Sequence, residues 1–287
     1  MIVCMEPVLL PDVMREAGFI HQVKWDGIRG IAMIDNGGVR FYNKSGIEST
    51  PKYPELSALP KVVDAQQAVL DGEIVALADG KPSFYHVLRR SLSKNGSNAA
   101  RFPVRYIVFD LLFLNHKDLR PLPLQERQRM LRNCFTGSAI AAQTDSFEDG
   151  DALYELMKQK GMEGIVSKRL SSVYTGGKRH TDWFKTKLTK KLLCAVTGVN
   201  FKNGLPSSLS LGVYRDGALT PVGDVGSGVK QEDLGLLAKQ LVSGSAPRIT
   251  CWVRFSEWTP HATLRHPVFL GFSDSTPKDA TGEEISL

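Results

Sequence analysis

Three lysines are placed where they could act on an anionic group or hold one: Lys24, Lys185 and Lys187. Lys24 begins a Lys-Trp-Asp-Gly-Ile-Arg segment at the end of a β-rich run, and the turn that follows would let a phosphate approach. A lysine in that place can serve as an amine nucleophile. Because lysine is ordinarily protonated at neutral pH, this role requires positive charge nearby to favour the free amine. A surface turn with a solvated lysine also explains the segment.

The other two lysines belong to a Trp-Phe-Lys-Thr-Lys segment that begins at Trp183. In a strand, alternation places Lys185 and Lys187 on the same face. Two like charges side by side on a dry face would destabilise a sheet. The face is therefore either solvated or holds an anion between the two ammonium groups, and solvation is the simpler explanation for the segment by itself.

Acidic residues occur in two further β-rich segments. Leu-Asp-Gly-Glu-Ile-Val places Glu73 near the start of a strand, and Glu-Gly-Ile-Val-Ser-Lys begins a strand at Glu163. A third segment, Phe-Asp-Leu-Leu, predicts a strand that contains Phe109. Taken singly, each has a structural explanation: a turn at Asp71-Gly72, a core position for Phe109 and a solvated carboxylate for Glu163.

The elements that would position these residues follow from periodicity and turn signals. Strands are predicted at 19–25, 30–34, 39–42, 69–77 and 106–114, with an Asn-Gly-Gly hairpin turn at 36–38. Helices are predicted at 84–90, 124–133 and 152–160, the last ended by Gly161.

After Lys191 the pattern becomes β-rich. Strands are predicted at 193–201, 208–214, 219–225, 249–258 and 268–271, with one helix at Gln231–Leu241. Five strands and one helix in fewer than a hundred residues predict a small barrel, of which the OB-fold is one form. The boundary between the two parts is predicted at 188–192.

Composition restricts the class of protein. The 287 residues are 42% hydrophobic and 23% charged, which is typical of a globular chain and not of a disordered one. No run approaches the roughly 20 apolar residues of a membrane span, and the N-terminus does not resemble a signal peptide. Four scattered cysteines lack zinc-binding spacing. We therefore expect a cytoplasmic protein with reduced thiols and no membrane association.

Positive charge is concentrated in one stretch. The chain carries 36 Lys and Arg against 30 Asp and Glu, a net charge of +6, and the segment from Lys158 to Lys191 has ten basic residues against two acidic ones. A local surplus of this kind favours a polyanionic partner such as nucleic acid or nucleotide phosphates. A solvated, lysine-rich surface is the alternative if charge is considered alone.

In their order and spacing, these segments resemble the ATP-dependent DNA ligases of the covalent nucleotidyltransferase superfamily, and most of all the ligase domain of bacterial end-joining ligases. The resemblance covers almost the whole chain. The Trp-Phe-Lys-Thr-Lys segment and an Arg-His-Pro-Val-Phe-Leu-Gly segment from Arg265 favour DNA ligases over relatives that share only Lys-x-Asp-Gly. The implied fold is α/β: a mixed nucleotidyltransferase (ATP-grasp-like ligase) domain at 1–189, followed by a small all-β OB-fold barrel at 190–287.

The resemblance also implies a role for each site residue. Lys24 attacks the α-phosphorus of ATP and becomes lysyl-AMP, while Lys185 and Lys187 stabilise charge on that phosphate. Glu73, near the ribose, and Glu163 are the implied ligands of Mg²⁺ or Mn²⁺. The full implied nucleotide site is Gln22, Lys24, Arg29, Lys44, Glu73, Phe109, Glu163, Lys185 and Lys187, and the implied catalytic set is Lys24, Asp26, Lys185 and Lys187.

Within this site, the resemblance assigns Phe109 to stacking on adenine and Arg29 to a phosphate contact. Gln22 stands where relatives often carry glutamate facing the adenine amino group, and its amide oxygen can accept the same hydrogen bond. Asp26 is implied to help hold a second metal or the 3′-hydroxyl.

Two positions depart from the family pattern. Lys44 stands where relatives commonly carry arginine, so a point charge replaces a bidentate guanidinium. Ser273 stands where relatives commonly carry another arginine, so a cation is missing at that position.

The function implied by the resemblance is ATP-dependent sealing of nicks in double-stranded DNA by a monomeric enzyme. A capping guanylyltransferase or an RNA ligase would share the lysine chemistry. A non-catalytic OB-type DNA-binding protein is the alternative from another class.

Overall fold

The computed structural model describes residues 2–78, 80–240 and 248–286. The chain divides into two compact units: unit 1 ends at Lys187 and unit 2 begins at Leu188. None of the helices in these described ranges is long and apolar enough to cross a membrane.

The described part of unit 1 contains eleven strands, three α-helices and two 3₁₀ helices. The 3₁₀ helices are Thr50–Lys52 and Pro54–Val62. The strands and α-helices, in chain order, are β1 (Glu6–Leu10), β2 (Phe19–Val23), β3 (Ile28–Asp35), β4 (Gly38–Asn43), β5 (Gln67–Ala78), β6 (Lys81–Pro82), α1 (Phe84–Ser91), β7 (Val104–Leu114), β8 (Lys117–Asp118), α2 (Leu124–Cys134), β9 (Ala141–Gln143), α3 (Gly150–Lys160), β10 (Gly164–Arg169) and β11 (Arg179–Lys187).

These strands form two sheets. The larger sheet has the order β4-β3-β5-β7-β8, with β6 paired to β5 and β9 paired to β7. The smaller sheet has the order β1-β11-β10-β2, in which β1 runs parallel to β11. Since β2 belongs to the smaller sheet and β3 to the larger one, the short loop between them, which carries Lys24, connects the two sheets.

The larger sheet is buried on both faces, and strand alternation separates the two. Ala32 and Ile34 of β3 face one hydrophobic cluster, which also includes Leu56 and Leu131 from the helical elements. Ile31 of the same strand faces a second cluster with Met5, Leu112, Tyr174 and Trp183. Trp183 belongs to β11, so this second cluster packs the two sheets of unit 1 together.

The three α-helices of unit 1 form where the local sequence signals predict them. In α3, the side chain of Asp149 caps the N-terminus by accepting from the amide of Ala152, and Gly161 ends the helix in a left-handed conformation. The hairpin between β3 and β4 turns through Asn36 and Gly37, both with positive φ, as the Asn-Gly signal predicts. The predicted helices and the hairpin are confirmed.

One detail of the prediction for unit 1 is wrong: the strand expected at 19–25 ends at Val23. The strand predicted at 69–77 is confirmed as the twelve-residue β5. Asp71 and Gly72 lie in the middle of this strand, where Asp71 is fully buried, so the turn that would explain Asp71-Gly72 by itself does not occur.

Unit 2 is mostly sheet. Its described strands and helix are β12 (Lys190–Lys202), β13 (Leu205–Arg215), β14 (Ala218–Val225), α4 (Gln231–Gln240), β15 (Ile249–Phe255), β16 (Val268–Ser273) and β17 (Glu284–Ser286). The antiparallel sheet has the order β14-β13-β12-β15-β16, with β17 paired to the start of β12. Leu234 and Leu237 of α4 join the hydrophobic core beside this sheet. The arrangement is OB-like.

The prediction for unit 2 differs from the described structure in two places. The strand expected at 249–258 ends at Phe255, because Trp258 instead bridges to Leu264 in the following loop. The sixth strand, β17, was not predicted. Leu241, the predicted last residue of the helix, lies outside the described residues.

Candidate active site

Lys24 lies in the loop between β2 and β3, immediately after β2. Its backbone amide donates to the carbonyl oxygen of Gly164 on the neighbouring strand β10, at 2.9 Å. Gly27, three residues later, lies so close to β5 that a Cβ atom there would stand 2.4 Å from the carbonyl oxygen of Ile74. The loop therefore fits between the sheets only with glycine at position 27.

The amine of Lys24 shares one carboxylate with Lys187. Lys24 Nζ lies 2.5 Å from Oε2 of Glu163, and Lys187 Nζ lies 3.0 Å from Oε1. The pairing of β10 with β11 creates this cluster, because Gly164 is the register partner of Lys187. Burial acts to raise the pKa of Glu163, but Lys24 and Lys187 outweigh it and hold that pKa below its ordinary value. We call these three residues the Lys24 cluster.

Gly164 sets the approach of the two strands in this cluster. Its φ of +142° lies in a region that side-chain-bearing residues rarely adopt, and a Cβ there would stand 2.1 Å from the carbonyl oxygen of Thr186. The glycine after Glu163 therefore allows β10 to pack directly on β11.

A pocket of about 180 Å³ opens beside Lys24, between the two sheets of unit 1. Seven of the sequence-predicted site residues line it: Gln22, Lys24, Arg29, Lys44, Glu73, Phe109 and Lys185. Glu163 and Lys187 are not among its lining residues but contact it through Lys24 and the cluster described above. Asp26 lies in the same loop as Lys24 and is half-buried, but it does not line the pocket.

Lys185 brings further positive charge to the pocket. Burial lowers its pKa, and the nearby ammonium groups of Lys24 and Lys187 lower it further. Its register partner on β10 is Val166, which lines the same pocket. The concentration of ammonium groups is the environment that an amine nucleophile requires.

Arg29 is held by a buried network. Its Nε and Nη2 donate to the two oxygens of Asp71, each at 2.5 Å, and the hydroxyl of Tyr174 donates to Asp71 Oδ2 at 2.6 Å. The amide of Met5 donates to the same hydroxyl at 3.1 Å. The guanidinium also lies 4.6 Å from the ring centre of Phe109. Two of the three nitrogens of Arg29 are thus committed to Asp71, and we call Arg29, Asp71 and Tyr174 the Arg29 network.

Lys168 supports the aromatic wall of the pocket. It is 2% exposed, and its Nζ lies 4.3 Å from the ring centre of Phe109 and 4.1 Å from that of Trp183. The two rings meet edge to face at 6.4 Å. Burial lowers the pKa of Lys168 to about 7, although Asp110 acts in the opposite direction. Contacts of a cation with two ring faces stabilise its charged form.

Gln22 lines the pocket, and only one end of its side-chain amide has a hydrogen-bond partner among the described residues. The side chain is almost fully buried, and its Oε1 has no hydrogen-bond partner among the described residues, whereas Nε2 donates to the hydroxyl of Ser146 at 3.0 Å. A buried amide oxygen without a partner costs roughly 1–3 kcal/mol. Gln22 and Phe109 both line the pocket.

The carboxylates fit a divalent cation only together with a ligand that brings its own oxygens. No group of three or more metal-ligating His, Cys, Asp or Glu side chains occurs in the described residues. Burial raises the pKa of Glu73 to about 8, while Arg29 and Lys24 act to lower it. One or two carboxylates, completed by phosphate oxygens and water, are typical of Mg²⁺ sites.

Lys44 reaches the mouth of the pocket, where its Nζ lies 2.9 Å from Oε1 of Glu6. Hydrogen bonding to Lys44 holds the pKa of Glu6 below its ordinary value. Glu6 belongs to β1, a strand that the sequence analysis did not predict.

Several residues of the site were missed in the sequence: Glu6, Asp71, Ser146, Lys168 and Tyr174. Only Asp71 and Lys168 had a usable signal, since both stand inside segments that were singled out for a neighbouring residue. The other three approach the pocket through contacts that are distant in sequence.

Comparison with known proteins identifies the family of this chain. The sequence profile described as ATP dependent DNA ligase domain matches residues 9–187, and that described as ATP dependent DNA ligase C terminal region matches residues 202–275. Among the similar proteins, the multifunctional non-homologous end joining DNA repair protein LigD of Mycobacterium tuberculosis is 29% identical over 94% of this chain and 38% of its own length. A DNA ligase of Thermococcus fumicolans is 32% identical over 96% of this chain and 56% of its own length.

Solved structures show the same relationship. The mycobacterial DNA ligase D complexed with ATP and MES matches 97% of each chain with a TM-score of 0.60 and 26% identity. A Lig E DNA ligase covers 95% of this chain and 100% of its own with a TM-score of 0.68 and 17% identity, a likeness of fold. The chain spans only about 38% of the length of the mycobacterial end-joining relatives. With two ligase profiles matched along its length, the chain belongs to the ATP-dependent DNA ligase family.

Proposed function

We propose that this chain seals nicks in double-stranded DNA through a covalent AMP on Lys24. The amine would attack the α-phosphorus of ATP, forming an N–P bond as the bond to pyrophosphate breaks. The AMP would then pass to the 5′-phosphate at the nick, and the 3′-hydroxyl would displace it to form the phosphodiester. The observation that carries the proposal is the Lys24 amine, held in a cationic cluster at the edge of a pocket with an unpartnered acceptor.

ATP fits the residues of the pocket. Phe109 supplies a face for the base and Gln22 supplies an acceptor for its amino group. The volume of about 180 Å³ is below the roughly 300–1,000 Å³ of typical small-molecule sites, which favours a pocket for the base and ribose with the phosphates at its mouth. At that mouth lie Lys24, Lys44 and Lys185, whose charges match a polyphosphate.

In this reaction the Lys24 cluster has to rearrange. Glu163 now fixes the amine in place through one carboxylate oxygen, while its other oxygen contacts Lys187. Lys185 and Lys187 would favour the neutral amine before the attack and stabilise the charge that develops on the α-phosphate afterwards. Arg29, held by Asp71, would act chiefly by positioning Phe109.

A divalent cation, Mg²⁺ or Mn²⁺, would supply charge compensation for the phosphates, with Glu73 and Glu163 as its protein ligands. For Asp26 we retain the proposed contact with a second cation or the 3′-hydroxyl. The half-buried position of Asp26, in the same loop as Lys24 but outside the pocket, is compatible with a role at the DNA side of the site.

We further propose that residues 1–189 form the adenylylation domain and that residues 190–287 form an OB-fold barrel. The basic residues at 158–191 would contact backbone phosphates of a nicked duplex, to which the protein would bind as a monomer. Because several relatives are named for non-homologous end joining, we assign this nick sealing to DNA repair.

Intact mass spectrometry after incubation with ATP and Mg²⁺ tests the proposal. We expect a mass increase of one AMP, and transfer of that AMP to a nicked duplex followed by joining. An adduct formed only with GTP would favour a capping guanylyltransferase. Joining of nicked RNA but not DNA would favour an RNA ligase, and the absence of any adduct together with DNA binding would favour a non-catalytic binder.

The DNA contact has its own test. If binding depends on backbone phosphates, the affinity for a nicked duplex should fall by about one log unit per log unit of salt for each neutralised phosphate. An affinity that does not change with salt would contradict the basic segment as the DNA-binding surface.

A further inference from the structure

Helix α1 covers the face of the larger sheet that is opposite to the pocket. Its Val87 is fully buried in the hydrophobic cluster that also contains Ile74 of β5. Glu73, the preceding residue of the same strand, lines the pocket. Because successive residues of a strand point to opposite faces, the helix and the pocket lie on opposite sides of β5. The outer side of α1 is therefore directed away from the pocket.

The outer side of α1 carries an apolar stripe. Tyr85, Leu88 and Leu92 are 37%, 38% and 73% exposed. Residues three and four positions apart lie on one side of a helix, and Leu92, the C-cap residue, keeps helical backbone angles. None of the three belongs to the hydrophobic cluster on which α1 packs. An exposed apolar patch with a polar rim is typical of an interaction site.

Positive charge surrounds this stripe. Residues 80–109 contain six Lys and Arg and no Asp or Glu, although the net charge of the whole chain is only +6. Four of the six are exposed: Lys81, Arg89, Lys94 and Arg101. None of these four forms an ion pair within the described residues, whereas the buried Arg90 pairs with Glu55. We call the stripe and its four exposed cations the α1 surface.

We propose that the α1 surface binds an acidic, amphipathic segment of a partner protein. Apolar side chains of such a segment would cover the stripe, and its carboxylates would pair with the surrounding cations. Phosphates of a nucleic acid would match the cations but would leave Leu88 and Leu92 exposed. The surface also lies on the side of the sheet away from the pocket. Both observations favour a protein segment over DNA, and neither depends on the reaction proposed for Lys24.

Random peptides of about 15 residues, long enough to form a helix, provide the probe when displayed on phage. The library is first cleared on the Leu88→Ser/Leu92→Ser protein and then selected on the unaltered chain. Both leucines are exposed, so the double variant should keep its fold, which its melting temperature checks. We expect the enriched peptides to be net acidic, with apolar residues three or four positions apart. Enrichment of no peptide, or of peptides without net negative charge, would overturn the inference.

Fluorescence anisotropy with the most enriched peptide, synthesised with a fluorophore, measures the two contributions separately. Leu88→Ser/Leu92→Ser and Arg89→Gln/Lys94→Gln should each weaken binding by at least about tenfold. The glutamine variant should also reduce the salt dependence of binding, whereas the serine variant should not, because only the former removes charge.

Two exposed positions outside the α1 surface serve as matched controls. Leu156→Ser changes a leucine of α3 that is 39% exposed, and Lys61→Gln neutralises an exposed lysine. Both proteins should bind the peptide like the unaltered chain. If either double variant in α1 bound the peptide as tightly as these controls, the inference would be wrong.

The same variants distinguish a protein segment from other anionic partners. Arg89→Gln/Lys94→Gln should leave the affinity for a nicked duplex and its salt dependence unchanged. Loss of a phosphate contact would reduce the magnitude of the salt slope by about 0.9, so a decrease would assign the α1 surface to DNA and overturn the inference. Binding to phosphatidylserine vesicles that both double variants abolish would assign it to a membrane, with the same consequence.

Discussion

Two clusters, each of which pairs positively charged side chains with a carboxylate, contribute residues to the same pocket. They differ in burial and in how the carboxylate is shared. In the Lys24 cluster, one carboxylate serves two ammonium groups through one oxygen each, and the side chains are 12–26% exposed. In the Arg29 network, one guanidinium donates twice to one fully buried carboxylate, which also accepts from a tyrosine. In the first arrangement each lysine can exchange its carboxylate partner for water or a ligand. In the second, the charge of Asp71 is compensated by two hydrogen bonds from Arg29 and one from Tyr174.

This difference in burial and pairing distinguishes residues that take part in the reaction from residues that hold the pocket in place. A reacting amine has to leave its partner, which is possible where water and a ligand can replace the contact. A group that positions an aromatic ring, as Arg29 does for Phe109, has to keep a fixed position, and a buried bidentate ion pair provides this. Removal of one partner from a buried pair leaves an uncompensated charge, whereas a partly exposed pair can be rehydrated. We therefore expect substitutions in the Lys24 cluster to affect the reaction and those in the Arg29 network to affect stability.

The largest effect is expected from Lys24→Ala. Without the nucleophile, no covalent AMP can form, and joining with ATP should fall by at least about 10³-fold. Intact mass spectrometry after incubation with ATP and a divalent cation measures the adduct. The exposed Lys61→Ala serves as the control and should retain it, and both proteins should bind nicked DNA alike. An AMP adduct on the Lys24→Ala protein would show that the nucleophile is another residue.

Asp71→Asn breaks the Arg29 network and should lower the free energy of unfolding by about 3 kcal/mol, because it leaves a buried guanidinium without its counter-charge. Urea denaturation of both proteins measures the difference. Tyr174→Phe removes one hydrogen bond to the carboxylate and should cost about half as much. If Asp71→Asn were as stable as the unaltered protein, the network would not have the supporting role that separates it from the Lys24 cluster.

Glu163→Gln should show the reverse pattern. The neutral amide can hold only one lysine with its oxygen, so the amine of Lys24 loses its fixed position, and formation of lysyl-AMP should slow by about 10- to 100-fold. The free energy of unfolding should change by only about 1 kcal/mol or less, since both lysines can reach water. Rapid-quench measurement of the adduct and urea denaturation give the two values. Glu16→Gln, at an exposed ion pair, is the control in which neither should change.

The last prediction concerns the pH dependence of stability and Lys168, which is 2% exposed. Its pKa in the folded protein is lowered to about 7, so between pH 7 and about 10 the unfolded chain binds more protons at this site than the folded one. Stability contributed by this residue must therefore rise with pH across that range. Relative to Lys168→Met, the unaltered protein should gain up to about 1.4 kcal/mol per pH unit in its free energy of unfolding. If the two proteins differed in free energy of unfolding by the same amount at every pH from 7 to 10, the lowered pKa of Lys168 would be contradicted.

The parts of the fold that could be predicted are those with local causes. The β3–β4 hairpin follows from Asn36 and Gly37, and α3 follows from its cap at Asp149 and its end at Gly161. Each of these signals lies within a few residues of the structure that it determines. Strand β1 has no comparable signal, because it forms only by pairing in parallel with β11 near the other end of unit 1.

The same division applies to the candidate site. Motif order and spacing identified the residues that would meet a nucleotide, and seven of them line one pocket. What holds those residues could not be inferred, because the contacts join distant positions: Tyr174 and Asp71 are 103 residues apart. Asp71 falls inside a strand that was predicted, but no local pattern shows that its side-chain partners are Arg29 and Tyr174.

The close approach of backbones at Gly27 and Gly164 changes what the family motifs mean. Both glycines stand in segments by which the family is recognised, yet neither has a side chain that could react; each marks a place where one chain segment rests on another. At these two motif positions, glycine is therefore required for steric fit and not for a chemical role. An alanine scan of the motifs would find both positions as damaging as Lys24, and only a measurement of folding would distinguish a lost strand contact from a lost nucleophile.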